Sequence, residues 1–475
     1  MPITPMPVTV SQYDIKETPF MYKIIVLGSG MVGRAIARDL AQKHHVTLTD
    51  VSPAALEKAK SPEKAKSPEK TISPAATGSP ATQQKKSGKI ETRLLDVADS
   101  RALHDAVAPF DLVVSAVPGA LGYRTLRTVI SAGKHIVDIS FFPENALDLH
   151  DLALENGVTA IVDCGVAPGM GNLLLGYHDA RMTVTSFECL VGGLPVERRW
   201  PFSYKAPFSP ADVIEEYVRP ARYVENGALI TREALSDPEL IDFDGIGTLE
   251  AFNTDGLRTL IHTMPHIPDM KEKTLRYPGH IEYIRVLRAC GFFSGEKVRV
   301  DDGTEVAPLA LTSKLLFDQW RLGEEEEEFT VMRVTIEGVD GGVDESRISG
   351  TNTGTDHEDV SSETGVSHRD KDINPGTNPG APDNTGKVRK DADPAPGSAR
   401  KRITYDLLDR YCPKTRTSSM ARTTGYTATA VANLLIEKRF GEKGIIPPEI
   451  IGRDETCFNF IMDYLTERGV NLTST

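Results

Sequence analysis

Gly28-Ser29-Gly30-Met31-Val32-Gly33 matches G-x-G-x-x-G, directly after the apolar run Lys23 to Leu27 and directly before Val32, Ile36 and Leu40 at helical spacing. That placement, more than the six letters, restricts the chain to a strand-turn-helix unit. The first glycine permits a tight turn, the second lets backbone approach a pyrophosphate, and the third lets helix pack on strand. Met31 and Val32 then supply helix-opening N–H groups, and Ser29 belongs to the same loop. The pattern therefore reads as a dinucleotide site.

Further apolar runs fall at Val46 to Thr49, Arg93 to Leu95, Leu112 to Ala116, His135 to Ile139 and Thr159 to Val162, with helical-length stretches between them. Six strands alternating with helices predict an α/β doubly wound parallel sheet in the order 3-2-1-4-5-6, over residues 21–165. Asp50 closes the second strand 22 residues after Gly28, where a carboxylate accepts from ribose hydroxyls and repels a 2′-phosphate. No arginine follows it closely in TDVSPAAL, so the expected cofactor is NAD. By topology, Asp96 and Val97 are placed beside the adenine, and Ser115, Val117 and Pro118 beneath the nicotinamide ribose.

At 475 residues the chain exceeds what one core normally supports. Residues 166–415, with strand runs at Ser186 to Val191 and Val331 to Ile336, read as a second α/β (α+β) domain that holds a substrate. Residues 416–475 read as a helical segment. Met420 to Phe440 is rich in small residues and stops at Gly441, while Phe458, Ile461, Met462 and Leu465 share a helical face. Three stretches are expected to be disordered: 1–20; about 56–89, which holds the tandem hexamer EKAKSP; and about 338–399, rich in Gly, Asp, Ser, Thr, Asn and Pro. The last lies between two strand-like runs, as the tip of a hairpin would.

Net charge is −13 without a basic stripe, which argues against a nucleic-acid partner. No run reaches about 18 apolar residues, so no membrane span is expected. Cys164, Cys189, Cys290, Cys412 and Cys457 are odd in number, widely spaced and form no CxxC pair, which fits a reducing compartment, and with HExxH also absent no metal is expected. With no leader-like start, the expected location is the cytoplasm.

DCGVAPGM (Asp163 to Met170), VGGLPV (Val191 to Val196), FDGIGTLEAFNTDG (Phe243 to Gly256), KTLRYPGH (Lys273 to His280), MARTTGYTATAVA (Met420 to Ala432) and GIIPPEII (Gly444 to Ile451) together resemble the saccharopine dehydrogenase family. Within it they are most similar to the lysine 6-dehydrogenase members. The resemblance implies C-terminal helices returning to the dinucleotide domain, a homodimer, and oxidation of lysine's side-chain amine carbon to an aldehyde with release of ammonia. It leaves two alternatives: a dehydrogenase of the lysine-glutamate adduct saccharopine, and a dinucleotide-binding regulator without turnover.

Such chemistry needs a carboxylate clamp and a proton acceptor. Arg276 has the fork for the clamp, and Asn253, Thr254 and Asp255 form a polar cluster suited to the cleft. For proton transfer the candidates are Asp138, Tyr204, Lys205, Asp255 and His280, the last having the intrinsic pKa of a base near neutrality. A second clamp, which the adduct requires, has Arg198, Arg199 and Arg258 available. Cys164 is not expected to act as a nucleophile.

Overall fold

The structure, a computed structural model, describes residues 21–60, 90–340 and 399–475. The three stretches expected to be disordered fall largely outside that range, but Glu57 to Lys60 of the first hexamer belong to a short helix, Pro53–Lys60.

Strand Lys23–Leu27 sits in the middle of a parallel sheet and is buried on both faces. Ile24 and Val26 point into one core, Ile25 and Leu27 into another, which is why the run is continuously apolar rather than alternating. The sheet follows the expected order, with strands at His45–Asp50, Ile90–Leu94, Leu112–Ser115, His135–Asp138 and Thr159–Ile161. A seventh strand, Gly444–Ile446, extends it. It pairs in parallel with Thr159–Ile161, Ile446 opposite Ile161, so the C-terminal segment completes the dinucleotide domain rather than only packing on it.

The second sheet is mixed and runs, by residue range, Glu239–Phe243, Gly247–Asn253, Asp269–Arg276, Thr183–Pro195, Glu328–Val339, Arg400–Arg410 and Leu472–Ser474. Asp269–Arg276 is parallel to Thr183–Pro195 and antiparallel to Gly247–Asn253. Glu328–Val339 and Arg400–Arg410 pair antiparallel to the very tip, Val339 facing Arg400.

The helix Ser419–Ile436 joins the two layers. Ser418 caps it, accepting from the Ala421 N–H at 3.3 Å. Gly425 lies against Val32, Ala35 and Ile36 of helix Met31–Leu40, so small residues let the two backbones approach. Buried Asp39 then fastens the pair from within. Its carboxylate accepts from Thr429 Oγ1 at 2.6 Å, Tyr464 Oη at 2.7 Å and Arg468 Nε at 2.8 Å. Among the described residues no helix is long and apolar enough to cross a membrane.

Candidate active site

A continuous cleft of about 700 Å³ runs from the glycine loop to the second sheet. At the loop end the backbone folds back on itself. Gly28 N donates to Thr49 O at 2.9 Å, and a Cβ at Gly33 would stand 1.9 Å from Gly28 O. A Cβ at Gly30, by contrast, would meet nothing within 4 Å and would project into open space at the opening of helix Met31–Leu40. That contrast is what a pyrophosphate cradle requires, so these residues fit a pyridine nucleotide.

Asp50 ends its strand on the cleft wall, its Oδ2 accepting from Ser29 N at 2.7 Å and its Oδ1 from Ser52 N at 2.8 Å. The carboxylate is thereby fixed in direction while retaining lone pairs for a sugar. Gly28, Ser29, Met31, Val32, Val117 and Pro118 also line the cleft. Ser115 is buried and off the wall. Asp96 and Val97 are off it too, Asp96 being exposed and accepting from Ala98 N at 2.8 Å.

At the far end strand Asp269–Arg276 supplies the wall. Glu272, Thr274 and Arg276 share one face by the two-residue period and all three border the cleft. Lys273, on the opposite face, donates to the Asp237 carbonyl at 2.9 Å and pairs with Glu239. Arg276 is held tightly. Its Nη2 donates to Glu216 Oε2 at 2.8 Å, its Nε to Tyr217 Oη at 3.1 Å and its Nη1 to the Leu275 carbonyl at 3.0 Å, which leaves one N–H on each of Nη1 and Nη2, and its guanidinium lies 4.4 Å from the Tyr204 ring centre. Thr254 Oγ1 and Thr274 Oγ1 are 2.9 Å apart. Asp255 lines the cleft but is committed to a bidentate pair with Arg222, at 2.8 and 2.9 Å.

The other acid-base candidates stand off the wall. His280 is buried among Phe202, Tyr204, Tyr217 and Trp320. Its Nδ1 is 2.9 Å from the Phe202 carbonyl and so carries the proton, leaving Nε2 to accept from Tyr217 Oη at 2.9 Å. Burial, reinforced by Arg276, pushes its pKa down to about 3, so it is neutral. A hydrogen-bond chain through Tyr217 links it to Arg276 on the cleft wall. Tyr204 is buried with its hydroxyl unpaired, and burial raises its pKa. Lys205 donates to the Arg321 carbonyl at 3.3 Å. Asp138 lies below the wall, accepting from Ser140 N at 3.0 Å and Ser140 Oγ at 2.9 Å, with burial raising its pKa to about 7. Asn253 turns away from the cleft, donating to Ser236 Oγ and Asp237 Oδ2 at 2.9 and 2.8 Å. Cys164 is buried, and burial raises its thiol pKa.

Residue-type reasoning passed over Glu272 and Thr274, although stepping back by twos from Arg276 would have found both. It also passed over Asp212 and Glu216, which helix Pro210–Val218 brings to the cleft. Asp163, which opens the DCGVAPGM segment, was not among the candidate site residues. Its side chain is on the wall, buried, with Oδ1 accepting from Arg258 Nε at 3.0 Å and Oδ2 unpaired.

Residues 24–161 match the saccharopine dehydrogenase NADP binding domain, and residues 165–470 match the saccharopine dehydrogenase C-terminal domain. The chain belongs to the saccharopine dehydrogenase family. Among relatives in this family, the alpha-aminoadipic semialdehyde synthase of Arabidopsis thaliana is 28% identical over 322 residues, 64% of this chain and 30% of that protein. The NADP(+), L-glutamate-forming saccharopine dehydrogenase of Schizosaccharomyces pombe is 29% identical over 213 residues, 42% of this chain and 47% of that enzyme. Its namesake in Saccharomyces cerevisiae is 26% identical over 298 residues, 60% of each chain. The chain thus spans less than two thirds of the length of these relatives. The apo saccharopine dehydrogenase (L-Glu forming) structure from Saccharomyces cerevisiae superposes with a TM-score of 0.62 at 17% identity, over 96% of this chain and 99% of that one. That likeness shows a shared fold.

Proposed function

We propose that this member of the saccharopine dehydrogenase family oxidises a carbon bearing the side-chain amine of an L-amino acid, lysine being the substrate the cleft suits best, with NAD as hydride acceptor. The observation that carries this reading is the charge of the far wall. Five carboxyl groups border it: Asp163, Asp255 and Glu216 are paired with Arg258, Arg222 and Arg276, while Asp212 and Glu272 have no arginine partner among the described residues, and Arg321 beside them has a side chain that is 78% exposed. Such a wall favours a substrate rich in ammonium groups, with one carboxylate for the guanidinium fork.

A nicotinamide held in this cleft would supply the hydride acceptor for the amine carbon, and the resulting imine would be hydrolysed by water to aldehyde and ammonia. The chain's own residues do the rest. The loop 28–33 holds the pyrophosphate, Asp50 the adenosine ribose, and Arg276 the substrate carboxylate. The hydrogen-bond chain Arg276, Tyr217, His280, Phe202 carbonyl keeps that fork in register without needing a proton to move. For the cofactor, the support is Asp50, whose carboxylate opposes a 2′-phosphate; the fungal relatives are named for NADP(+).

The names of those relatives favour a second reading, oxidation of saccharopine. The adduct brings additional carboxylates and needs a second clamp. The three arginines that the sequence offered for it do not line the cleft: Arg198 lies 3.8 Å from the Tyr277 ring centre, Arg199 pairs with Glu197 at 2.6 Å, and Arg258 stands behind Asp163, paired with it at 3.0 Å. Incubation with NAD or NADP and either lysine or saccharopine, followed by absorbance of the reduced nucleotide, separates the readings. Lysine-dependent reduction supports the first, and turnover of saccharopine alone replaces it with the second. Nucleotide binding with turnover on neither would point to a regulator.

A further inference from the structure

Glu272 is the least explained group in the cleft. It is 5% exposed and borders the cavity, and its carboxyl oxygens, without a hydrogen bond or ion pair among the described residues, open onto that cavity rather than into the core. A carboxyl this secluded is costly to ionise unless something in the cavity partners it, which makes it a candidate for ligand contact or catalysis. Its position is built rather than incidental. The carboxyl lies so close to the backbone of Gly256 that a Cβ there would stand 1.8 Å from Oε1, so only glycine leaves it this seat. The unpaired Oδ2 of Asp163 belongs to the same wall.

We propose that Glu272 seats the substrate's reacting ammonium and accepts its proton before hydride leaves the adjacent carbon. The proposal rests on the amine-dehydrogenase reading. In the step, one N–H bond of the ammonium breaks, its electron pair stays on nitrogen, and the proton passes to a Glu272 carboxylate oxygen. The neutral amine then shares its lone pair with carbon to form C=N as the C–H electron pair departs as hydride. The carbon is oxidised by two electrons and the nucleotide reduced by two. Water adds to the iminium carbon, giving aldehyde and ammonium, and Glu272 returns its proton to solvent.

The surroundings suit that task. Glu216, Asp255, Asp163 and Arg258 face Glu272 from three other segments, and Cys189 and Tyr223 from neighbouring strands. Burial first, then the three carboxylates, raise its pKa to about 8, with Arg258 opposing. Proton transfer from an alkylammonium is then uphill by about two decades in proton affinity, against about six for an ordinary glutamate.

The decisive probe is 1,5-diaminopentane, which carries ammonium groups and no carboxylate, titrated calorimetrically into the purified chain at pH 7 in two buffers of different ionisation enthalpy. The wild type should bind it and release about one proton per site. Glu272→Gln should weaken binding at least about tenfold and abolish that release, while NADH affinity stays unchanged. Gly256→Ala, which displaces the carboxyl without removing it, should weaken the diamine in the same direction, and Glu272→Asp should restore part of the affinity. With an amine substrate, kcat/KM of the wild type should rise with pH and level off near 8, and Glu272→Gln should lose about 100-fold together with that rise. Diamine affinity equal in wild type, Glu272→Gln and Gly256→Ala overturns the proposal, as does a wild type that does not bind the diamine. Should Glu272→Gln fail to fold, the wild-type proton count and Gly256→Ala still decide. Diamine results as expected, with no turnover of lysine or saccharopine, would strike the dehydrogenase reading and leave the ammonium seat standing.

Discussion

Asp50 and Asp138 are both aspartates at the carboxyl ends of parallel strands, yet the fold gives them opposite tasks. Asp50 is held by two backbone N–H groups and faces the cleft. Replacing it with glycine should lower NAD affinity and narrow the gap between NAD and NADP, measured as the ratio of the two dissociation constants; an unchanged ratio removes Asp50 from cofactor choice. Asp138 is fully buried, and burial raises its pKa from 3.8 to about 7. Between those values the unfolded chain has lost the proton while the native chain keeps it, so native stability falls as pH rises through that window. Asp138→Asn cannot ionise, so its melting temperature should decline less than that of the wild type between pH 4 and 7. Parallel slopes would show that Asp138 ionises normally. Asp50 was legible from sequence because its role depends on local order, strand end after glycine loop. The seclusion of Asp138 was not, because burial below the wall is set by residues far along the chain.

The same limit operates on whole elements. Six strands of the first sheet were readable because each is a local apolar run bounded by turns. Gly444–Ile446 was not, since three residues carry no period and their partner lies 285 positions earlier. In the second sheet the identity of Arg276 was readable, whereas the wall it belongs to needed the strand's pleat. Strand Asp269–Arg276 delivers Glu272, Thr274 and Arg276 to one side, and helix Pro210–Val218 meets it with Glu216 and Tyr217. Tyr217→Phe removes the hydroxyl between Arg276 and His280 and leaves buried His280 Nε2 without a donor. The expected cost is about 1–3 kcal/mol of unfolding free energy, with KM for an amino-acid substrate rising more than kcat falls, because the fork loses its register rather than its charge. Denaturant melts and steady-state kinetics on the one variant check both parts. A change confined to kcat would instead place Tyr217 in the chemistry.

At the scale of the molecule, the cleft exists because the chain's last 60 residues return to its first. Helix Ser419–Ile436 packs along helix Met31–Leu40, strand Gly444–Ile446 extends the first sheet, and strand Leu472–Ser474 pairs with Arg400–Arg410 in the second. Asp39 concentrates that dependence in one buried carboxylate, shared by Thr429, Tyr464 and Arg468. Removing one partner of a buried, hydrogen-bonded ion pair leaves the other charge uncompensated, which costs about 3–5 kcal/mol. Asp39→Ala should therefore destabilise the whole chain by about that amount and weaken nucleotide binding in step, since the helix that opens at Gly30 carries Asp39 nine residues on. The hairpin Glu328–Val339 with Arg400–Arg410 predicts the opposite outcome. Val339 and Arg400 already face each other in register, so the paired strands hold their geometry up to the connection, and loop-closure entropy grows only as about (3/2)RT ln n with loop length. Replacing residues 341–398 with a short glycine-containing turn should leave the melting temperature, NADH affinity and turnover close to those of the full chain. Loss of soluble, nucleotide-binding protein on that deletion would show that the segment contributes to the fold beyond joining two strands.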